Sequence, residues 1–177
     1  MCRKRIEAAM KFILAPSVTF DKSEKLKTSR LFKQALYLNF ITPILLFLMT
    51  FAGTYNLWFS LAAGILLYFS TMVAIIIAGL WSHLWLHIFS AGSEGVEQTM
   101  KIAFLAATPT LLFAWIPGLA PVFWLWSAAL FVIGCSKAQK HPLPTIALAL
   151  LVGWAVTWMA IAFLGLTFLQ PIAIAAY

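Results

Sequence analysis

The chain has 177 residues, of which 63% are hydrophobic and 10% are charged. Soluble domains carry charge on about a quarter of their residues, so this composition excludes an ordinary water-soluble protein. The net charge of +7 is concentrated in residues 1–35, which hold nine Lys and Arg but three Asp and Glu. A short basic segment beside an apolar stretch is typical of an orientation signal that contacts anionic lipid, and nucleic acid is not expected as a partner.

The other charges are separated by long apolar runs. No charge falls between Lys33 and Glu94, between Lys101 and Lys137, or after Lys140. Each of these runs exceeds the roughly 20 residues that cross the hydrocarbon core of a bilayer. A soluble helix would also need a polar face, which these runs lack. We therefore predict an all-α fold, namely a polytopic membrane helix bundle.

Residues 1–34 are predicted to form a basic segment on the cytoplasmic side. Over residues 3–15, apolar and charged side chains recur at helical spacing, which predicts an amphipathic helix lying in the membrane interface. Pro16 is expected to end this helix. The basic side chains that we expect to face lipid headgroups or a partner are Arg3, Lys4, Arg5, Lys11, Lys25, Lys27, Arg30 and Lys33.

Five transmembrane helices are predicted within a membrane domain formed by residues 35–177. Thr42-Pro43 is expected to kink the first, because Pro43 lacks the donor for one helical hydrogen bond. The second has the composition to stay helical as far as Phe89, beyond the membrane core. The third and fourth are short, and alternatively they form a helical hairpin that turns back within the bilayer. The five predicted spans are 35–52, 58–82, 102–116, 121–136 and 145–165.

The placement of charge also predicts the orientation of the bundle. Segments 1–35, 90–101 and 135–144 hold all the charged residues and alternate with uncharged loops and an uncharged tail. Five spans would place all three segments on one face, which the positive-inside rule makes cytoplasmic. The N-terminus is then cytoplasmic and the C-terminus lies outside. In a prokaryote the host would be the inner (plasma) membrane.

Uncharged polar and small residues inside the spans are expected to serve helix packing. Asn39, Tyr68 and the Ser and Thr residues are predicted to bridge helices. No acidic residue lies inside any predicted span, which argues against ion-coupled transport. The glycines expected to allow close helix approach are Gly64, Gly79, Gly134 and Gly153.

His83 and His87 form a candidate metal pair, because positions i and i+4 share one helix face. Glu94, Glu97 or His141 would supply the further ligands from the same side. The HExxH arrangement is absent, however, and interfacial histidines beside tryptophans are commonly polar belt residues with a hydrogen-bond partner. We predict no cofactor and no metal, and treat the pair as the weaker alternative.

Enzymatic constellations are not recognisable in the sequence. There is no nucleophile elbow, no phosphate loop and no carboxylate pair at membrane depth. Glu94 and Glu97 are expected to cap the start of the third span and complement its dipole. An enzyme acting on lipid through His83, His87 and Glu97 is the remaining catalytic hypothesis, and the prediction is a non-enzymatic protein.

Several loose motifs resemble the Yip family, the Ypt/Rab-interacting multi-pass membrane proteins. Upstream, Ala15-Pro16-Ser-Val-Thr-Phe20 is similar to a Pro-x-x-x-Phe element before the first span. Residues 91–99 (AGSEGVEQT) are similar to the family's small-residue turn, although the usual Gly-Gly pair is Ala91-Gly92 here. The family-motif residues are Pro16, Phe20, Gly92, Glu97, Gln98, Thr99, Pro109, Pro117, Gly118 and His141.

The resemblance implies five spans, a cytoplasmic N-terminus and no enzymatic activity. The acidic motif of eukaryotic members is absent, so their GTPase binding is not carried over. The expected function is the organisation of membrane, or the binding of partner proteins or lipids, at the cytoplasmic face. Anionic lipids, a second copy of the chain or another membrane protein are the expected partners. The alternative is a small oligomeric transporter or channel, which the proline-broken spans favour.

Overall fold

A computed structural model describes residues 27–113, 115–116 and 118–174, with side chains described as far as residue 162. Within this part of the chain every regular element is an α-helix, which confirms the predicted all-α class there. The predicted amphipathic helix over residues 3–15 lies outside the described residues. The helices are α1 Thr28–Asn39, α2 Ile41–Thr54, α3 Leu57–Ile88, α4 Val96–Ala106, α5 Thr108–Phe113, α6 Ala120–Gln139 and α7 Leu143–Ile174.

Four helical stretches are long and apolar enough to cross a membrane. They are Thr28–Thr54, which joins α1 and α2, then Leu57–Ile88, Ala120–Gln139 and Leu143–Ala162. The second keeps its helix for 32 residues, as its composition predicts. At 1.5 Å per residue this helix is about 48 Å long and exceeds the roughly 30 Å hydrocarbon core.

The predicted third span, 102–116, differs from the structure. The helix begins earlier, at Val96, and divides at Ala107 into α4 and the six-residue α5. Neither piece alone reaches the length of a membrane-crossing helix. The physical reason is Pro109, which has no N–H to donate to the carbonyl of Leu105 and whose ring crowds that carbonyl.

The first predicted span shows the same kind of break. α1 ends at Asn39 and α2 begins at Ile41, with Phe40 in a turn conformation between them. Pro43 follows three residues later, as the predicted kink requires. The two breaks therefore have one cause, a Thr-Pro pair inside an apolar helix.

The α4–α5 segment forms the centre of the bundle. Nearly all its side chains from Thr99 to Leu112 are buried. The Phe32 and Phe104 rings meet edge to face with centroids 5.4 Å apart. Farther along, the Thr42 hydroxyl donates to the Leu111 carbonyl at 2.9 Å. Because both contacts join residues about 70 positions apart, α1–α2 and α4–α5 run parallel to each other.

Gly79 and Gly153 lie where two helices approach closely, as predicted. A Cβ atom at Gly79 in α3 would lie 2.7 Å from Met100 Sδ in α4, and one at Gly153 in α7 would overlap the Trp85 ring of α3. Trp81 in turn donates its indole N–H to the Thr157 hydroxyl at 2.8 Å. Helices α3 and α7 therefore pack antiparallel.

The outside of the bundle is more apolar than a soluble protein tolerates. Leu66, Leu125 and Leu151 are each at least 70% exposed. Contiguous apolar surface on this scale is stable in hydrocarbon rather than in water. Several of the most deeply buried side chains are instead polar, including Asn39, Thr99 and Gln139. The distribution matches a membrane-embedded protein, whose polar groups must find partners inside the bundle.

Candidate functional site at the charged end of the bundle

Three separate segments of the chain meet at one end of the bundle. The Thr28 hydroxyl, at the start of α1, donates to Glu97 Oε1 in the first turn of α4 at 2.6 Å. Lys140, after the end of α6, contacts Glu94 in the α3–α4 loop with its Nζ 2.8 Å from Oε1. These contacts bring together the described parts of the three segments that carry charge. We call this end the charged end.

A buried glutamine joins these segments. Gln139 is fully buried at the end of α6, where its Nε2 donates to Thr99 Oγ1 at 3.1 Å. Its Oε1 accepts from the Glu94 backbone N–H at 2.7 Å, and its backbone carbonyl accepts from the Ser93 hydroxyl at 2.5 Å. One residue therefore fixes the α3–α4 loop and the first turns of α4 against the end of α6.

The same hydrogen-bond chain continues to His83 in α3. The distance between His83 Nδ1 and Thr99 Oγ1 is 2.9 Å. Gln139 already donates to that hydroxyl oxygen, which leaves the hydroxyl proton for a second partner. Thr99 and His83 Nδ1 can each be the donor of this contact, because a hydroxyl oxygen accepts up to two hydrogen bonds and donates one. His83 is thus a hydrogen-bonded part of the helix junction.

The two histidines lie beside each other, with parallel rings whose centroids are 6.4 Å apart. His87 is exposed and His83 is half-buried. Among the described residues, no three His, Cys, Asp or Glu side chains group closely enough to hold a metal ion. The further ligands considered from sequence therefore do not converge on the pair. His83 instead has Thr99 as the hydrogen-bond partner that is expected of a histidine in the interfacial belt.

Glu97 and Lys101 pair along one face of α4. Lys101 is buried, and its Nζ lies 3.3 Å from Glu97 Oε1. The hydrogen bond from Thr28 is the main cause that lowers the pKa of Glu97 from its usual value, and Lys101 adds to it. The predicted capping role is wrong, because Gly95 occupies the N-cap position and no side chain caps α4, whereas Glu97 does lie in the first turn, where its charge complements the helix dipole as predicted. Glu94 binds Lys140 instead.

Exposed basic residues surround this hydrogen-bonded junction. Lys27, Arg30 and Lys33 lie on the outer surface of α1, and Lys137 and Lys140 are exposed at the end of α6. They lie at the charged end because α1 begins there and α6 ends there. The other basic residues predicted to face lipid or a partner lie outside the described residues, namely Arg3, Lys4, Arg5, Lys11 and Lys25.

The family-motif residues are distributed over both ends of the bundle. Gly92 lies in the α3–α4 loop, where a Cβ atom would be 3.3 Å from the backbone nitrogen of His87. Gln98 and Thr99 lie in α4, and His141 lies in the α6–α7 turn, where its carbonyl accepts from the Ser136 hydroxyl. Pro109 is in buried α5, and Gly118 takes a positive φ in the turn before α6. Pro16, Phe20 and Pro117 lie outside the described residues.

Thr28, Ser93 and Gln139 are the residues of this site that sequence reasoning missed. A signal for Gln139 was present, because an uncharged polar side chain closes the otherwise apolar fourth span beside a basic turn. Its burial and its partners depend on how α4 and α6 pack, which the local pattern does not reveal.

Comparisons with known proteins bring no match: no family model, no curated protein and no solved structure is significantly similar to this chain.

Proposed function

We propose that the chain crosses the membrane five times, with the charged end on the cytoplasmic side. The support is a connectivity argument. Thr28–Thr54 leads away from the charged end and Leu57–Ile88 returns to it, while Ala120–Gln139 again ends there. The chain between Ile88 and Ala120 must therefore pass from one end of the bundle to the other, and α4–α5 is the segment that does so.

The broken helix is suited to this crossing because the bundle surrounds it. A helix break exposes backbone groups that hydrocarbon cannot satisfy, and it is tolerated at membrane depth where protein covers it. Thr108 and Pro109 at the break are fully buried. Lys101 enters this interior near the charged end, with Glu97 as its charged partner.

At the charged end, we propose a non-enzymatic binding role of the Yip type that the sequence resemblance implies. The observation that best supports this role is the buried Gln139–Thr99 hydrogen bond, which holds the end of α6 and the start of α4 in a fixed arrangement beneath the exposed basic residues. A rigid basic surface beside the membrane attracts anionic headgroups, or an acidic segment of a membrane-protein partner or second copy. Anionic lipid is the partner that every membrane supplies.

Lipid retention by the purified full-length protein tests this role. We expect protein extracted from equal mixtures of phosphatidylglycerol and phosphatidylcholine to retain an excess of the anionic lipid, counted by native mass spectrometry. Combined replacement of Lys27, Arg30 and Lys33 by Gln should lower that excess by more than about tenfold, since each basic residue near an anionic surface contributes about 1 kcal/mol.

The matched control keeps the charge and changes the side chains. The double variant Lys27→Arg, Lys33→Arg should retain the anionic lipid as the wild type does, because a long-range charge attraction is the same whether Lys or Arg carries the positive charge. Equal retention of neutral and anionic lipid by the wild type would refute the proposal.

The second candidate is a small oligomeric transporter or channel. It is favoured by the two helix breaks, which face each other where Thr42 donates to the Leu111 carbonyl. This candidate is tested by measuring the flux of ions and uncharged solutes in proteoliposomes, with His83→Ala and His87→Ala as variants. Flux no greater than in protein-free vesicles would remove this candidate.

A further inference from the structure

The two broken helices belong to an internal repeat. Residues 42–47 read TPILLF and residues 108–113 read TPTLLF, an offset of 66 positions. The same offset aligns Trp58 with Trp124, and the Ala pair at 62–63 with the pair at 128–129. Each half is a broken helix followed by a returning helix, and the two broken helices run parallel. Parallel repeats of this kind place binding sites at the interface between the halves.

A cavity of about 620 Å³ lies at this interface. Its walls come from both repeats, with Asn39 and Thr42 from the first break and Thr110 and Leu111 from the second. This volume is within the range of about 300–1,000 Å³ that small-molecule sites occupy. No charged side chain is among the described residues that line it. A smaller cavity of about 250 Å³ continues along α3 toward the charged end and shares the lining residues Ile75 and Ala78 with the larger one.

Asn39 gives the cavity one unused polar group. The side chain is fully buried, and its Nδ2 donates to the Tyr68 carbonyl of α3 at 2.8 Å. Because a carbonyl accepts and never donates, the amide nitrogen must face Tyr68, and Oδ1 is the acceptor that remains. Oδ1 has no hydrogen-bond partner among the described residues. A buried acceptor without a donor costs about 1–3 kcal/mol, which a ligand donor would offset.

The neighbouring polar groups decide what kind of donor fits. The Thr42 and Thr71 hydroxyls donate to backbone carbonyls, and so does the Trp115 indole N–H. A ligand carbonyl would find no free proton on these three groups, so that only the second N–H of the Asn39 amide remains to donate to it, and an ionised ligand would find no counter-charge. An alcohol hydroxyl supplies the one donor that Asn39 Oδ1 lacks, and the rest of a long-chain alcohol is apolar and needs no hydrogen-bond partner.

We propose that this cavity binds a long-chain lipid alcohol, with its hydroxyl on Asn39 Oδ1 and its apolar chain along α3. The ligand enters from the hydrocarbon, since Met49 and Trp124 on the cavity wall are 48% and 60% exposed on the lipid side. The proposal is independent of the binding role at the charged end, because no residue of that end lines the cavity.

Photocrosslinking of the full-length protein in nanodiscs tests the proposal. The probe is hexadecanol with a chain diazirine, and the matched probe is its methyl ether, which has the same chain but no donor. We expect the alcohol to label cavity-lining peptides about fivefold more efficiently than the ether, the ratio that one hydrogen bond of about 1 kcal/mol produces. Asn39→Leu should abolish this difference by removing the acceptor.

A second variant keeps the test decisive if Asn39→Leu disturbs folding. Ala74 lines the cavity but is exposed, so Ala74→Phe should narrow the cavity without disturbing the core and lower alcohol labelling there severalfold. Ala62→Phe, at an exposed position on the same helix that does not line the cavity, is the control and should leave labelling unchanged. Equal labelling by the two probes in the wild type, or labelling that persists in Ala74→Phe, would overturn the proposal.

Discussion

At the scale of single residues, the described structure depends on a few polar side chains buried in an apolar bundle. Gln139 and Asn39 both have fully buried side-chain amides, but they differ in how many of their polar atoms have a hydrogen-bond partner. Gln139 uses both ends of its side-chain amide and its carbonyl to join α6 to the α3–α4 loop. Asn39 leaves its oxygen without a partner among the described residues. The first is therefore a structural residue, and the second indicates a binding site.

Replacing Gln139 by Leu should destabilise the protein. The Glu94 backbone N–H and the Thr99 hydroxyl would each lose a buried partner, at a cost of about 1–3 kcal/mol. We expect a melting temperature several degrees below that of the wild type, measured in detergent by intrinsic tryptophan fluorescence.

Lys140→Gln is the control for this prediction. It removes the exposed ion pair to Glu94, and such pairs contribute at most about 1 kcal/mol. An equal or larger loss of stability in Lys140→Gln than in Gln139→Leu would contradict the importance assigned to the buried amide.

At the scale of helices, small residues and prolines determine how the elements pack. Thr-Pro pairs divide two helices at Phe40 and Ala107, and the divided helices lie side by side, with α4–α5 at the centre of the bundle. Glycines on α3 and α7 allow the contacts that the bulky side chains around them would prevent. In a bilayer this packing has to supply most of the association energy, because lipid chains are as apolar as the helices.

Gly153→Ala should weaken the contact between α3 and α7. The added methyl group would overlap the Trp85 ring, and overpacking of this kind costs about 1–3 kcal/mol. The expected result is a lower melting temperature in detergent. Gly53→Ala is the matched control, since a Cβ atom there has no neighbour within 4 Å. Identical melting of the two variants would show that α7 does not pack on Trp85.

At the scale of the whole molecule, the described charged residues lie at one end and the exposed surface between the ends is apolar. The described chain leaves the charged end with α1, returns with α3, leaves again with α4 and returns with α6. If this end is cytoplasmic, the α2–α3 turn and the turn before α6 face the outside, while the α3–α4 and α6–α7 turns face the cytoplasm.

Cysteine labelling tests this topology. Gly53 in the last turn of α2 and Gly95 before α4 are both exposed and both have open space around them, so each tolerates a cysteine. In a chain with Cys2→Ser and Cys135→Ala, a membrane-impermeant maleimide added to intact cells should label G53C and leave G95C unlabelled. Labelling of G95C in intact cells would contradict the proposed orientation.

The class of protein and most of the helices could be predicted from the amino-acid sequence alone. Charge-free runs longer than a bilayer crossing admit few structures other than helices, because every backbone group must be hydrogen-bonded within its own segment. The break before Pro43 and the full length of α3 also followed from residue chemistry, because Pro43 lacks an N–H and the second span stays apolar as far as Phe89.

Which segment lies at the centre of the bundle, and which polar groups meet, depends on how the helices pack against one another. The α4–α5 segment is short and polar at its start, and its burial follows from neighbours far away in the chain. Likewise, Gln139 and Thr99 are 40 residues apart, and no local pattern shows that they bond. Hydrophobic patterning acts along one helix, whereas hydrogen-bond partners and cavities depend on the register between helices.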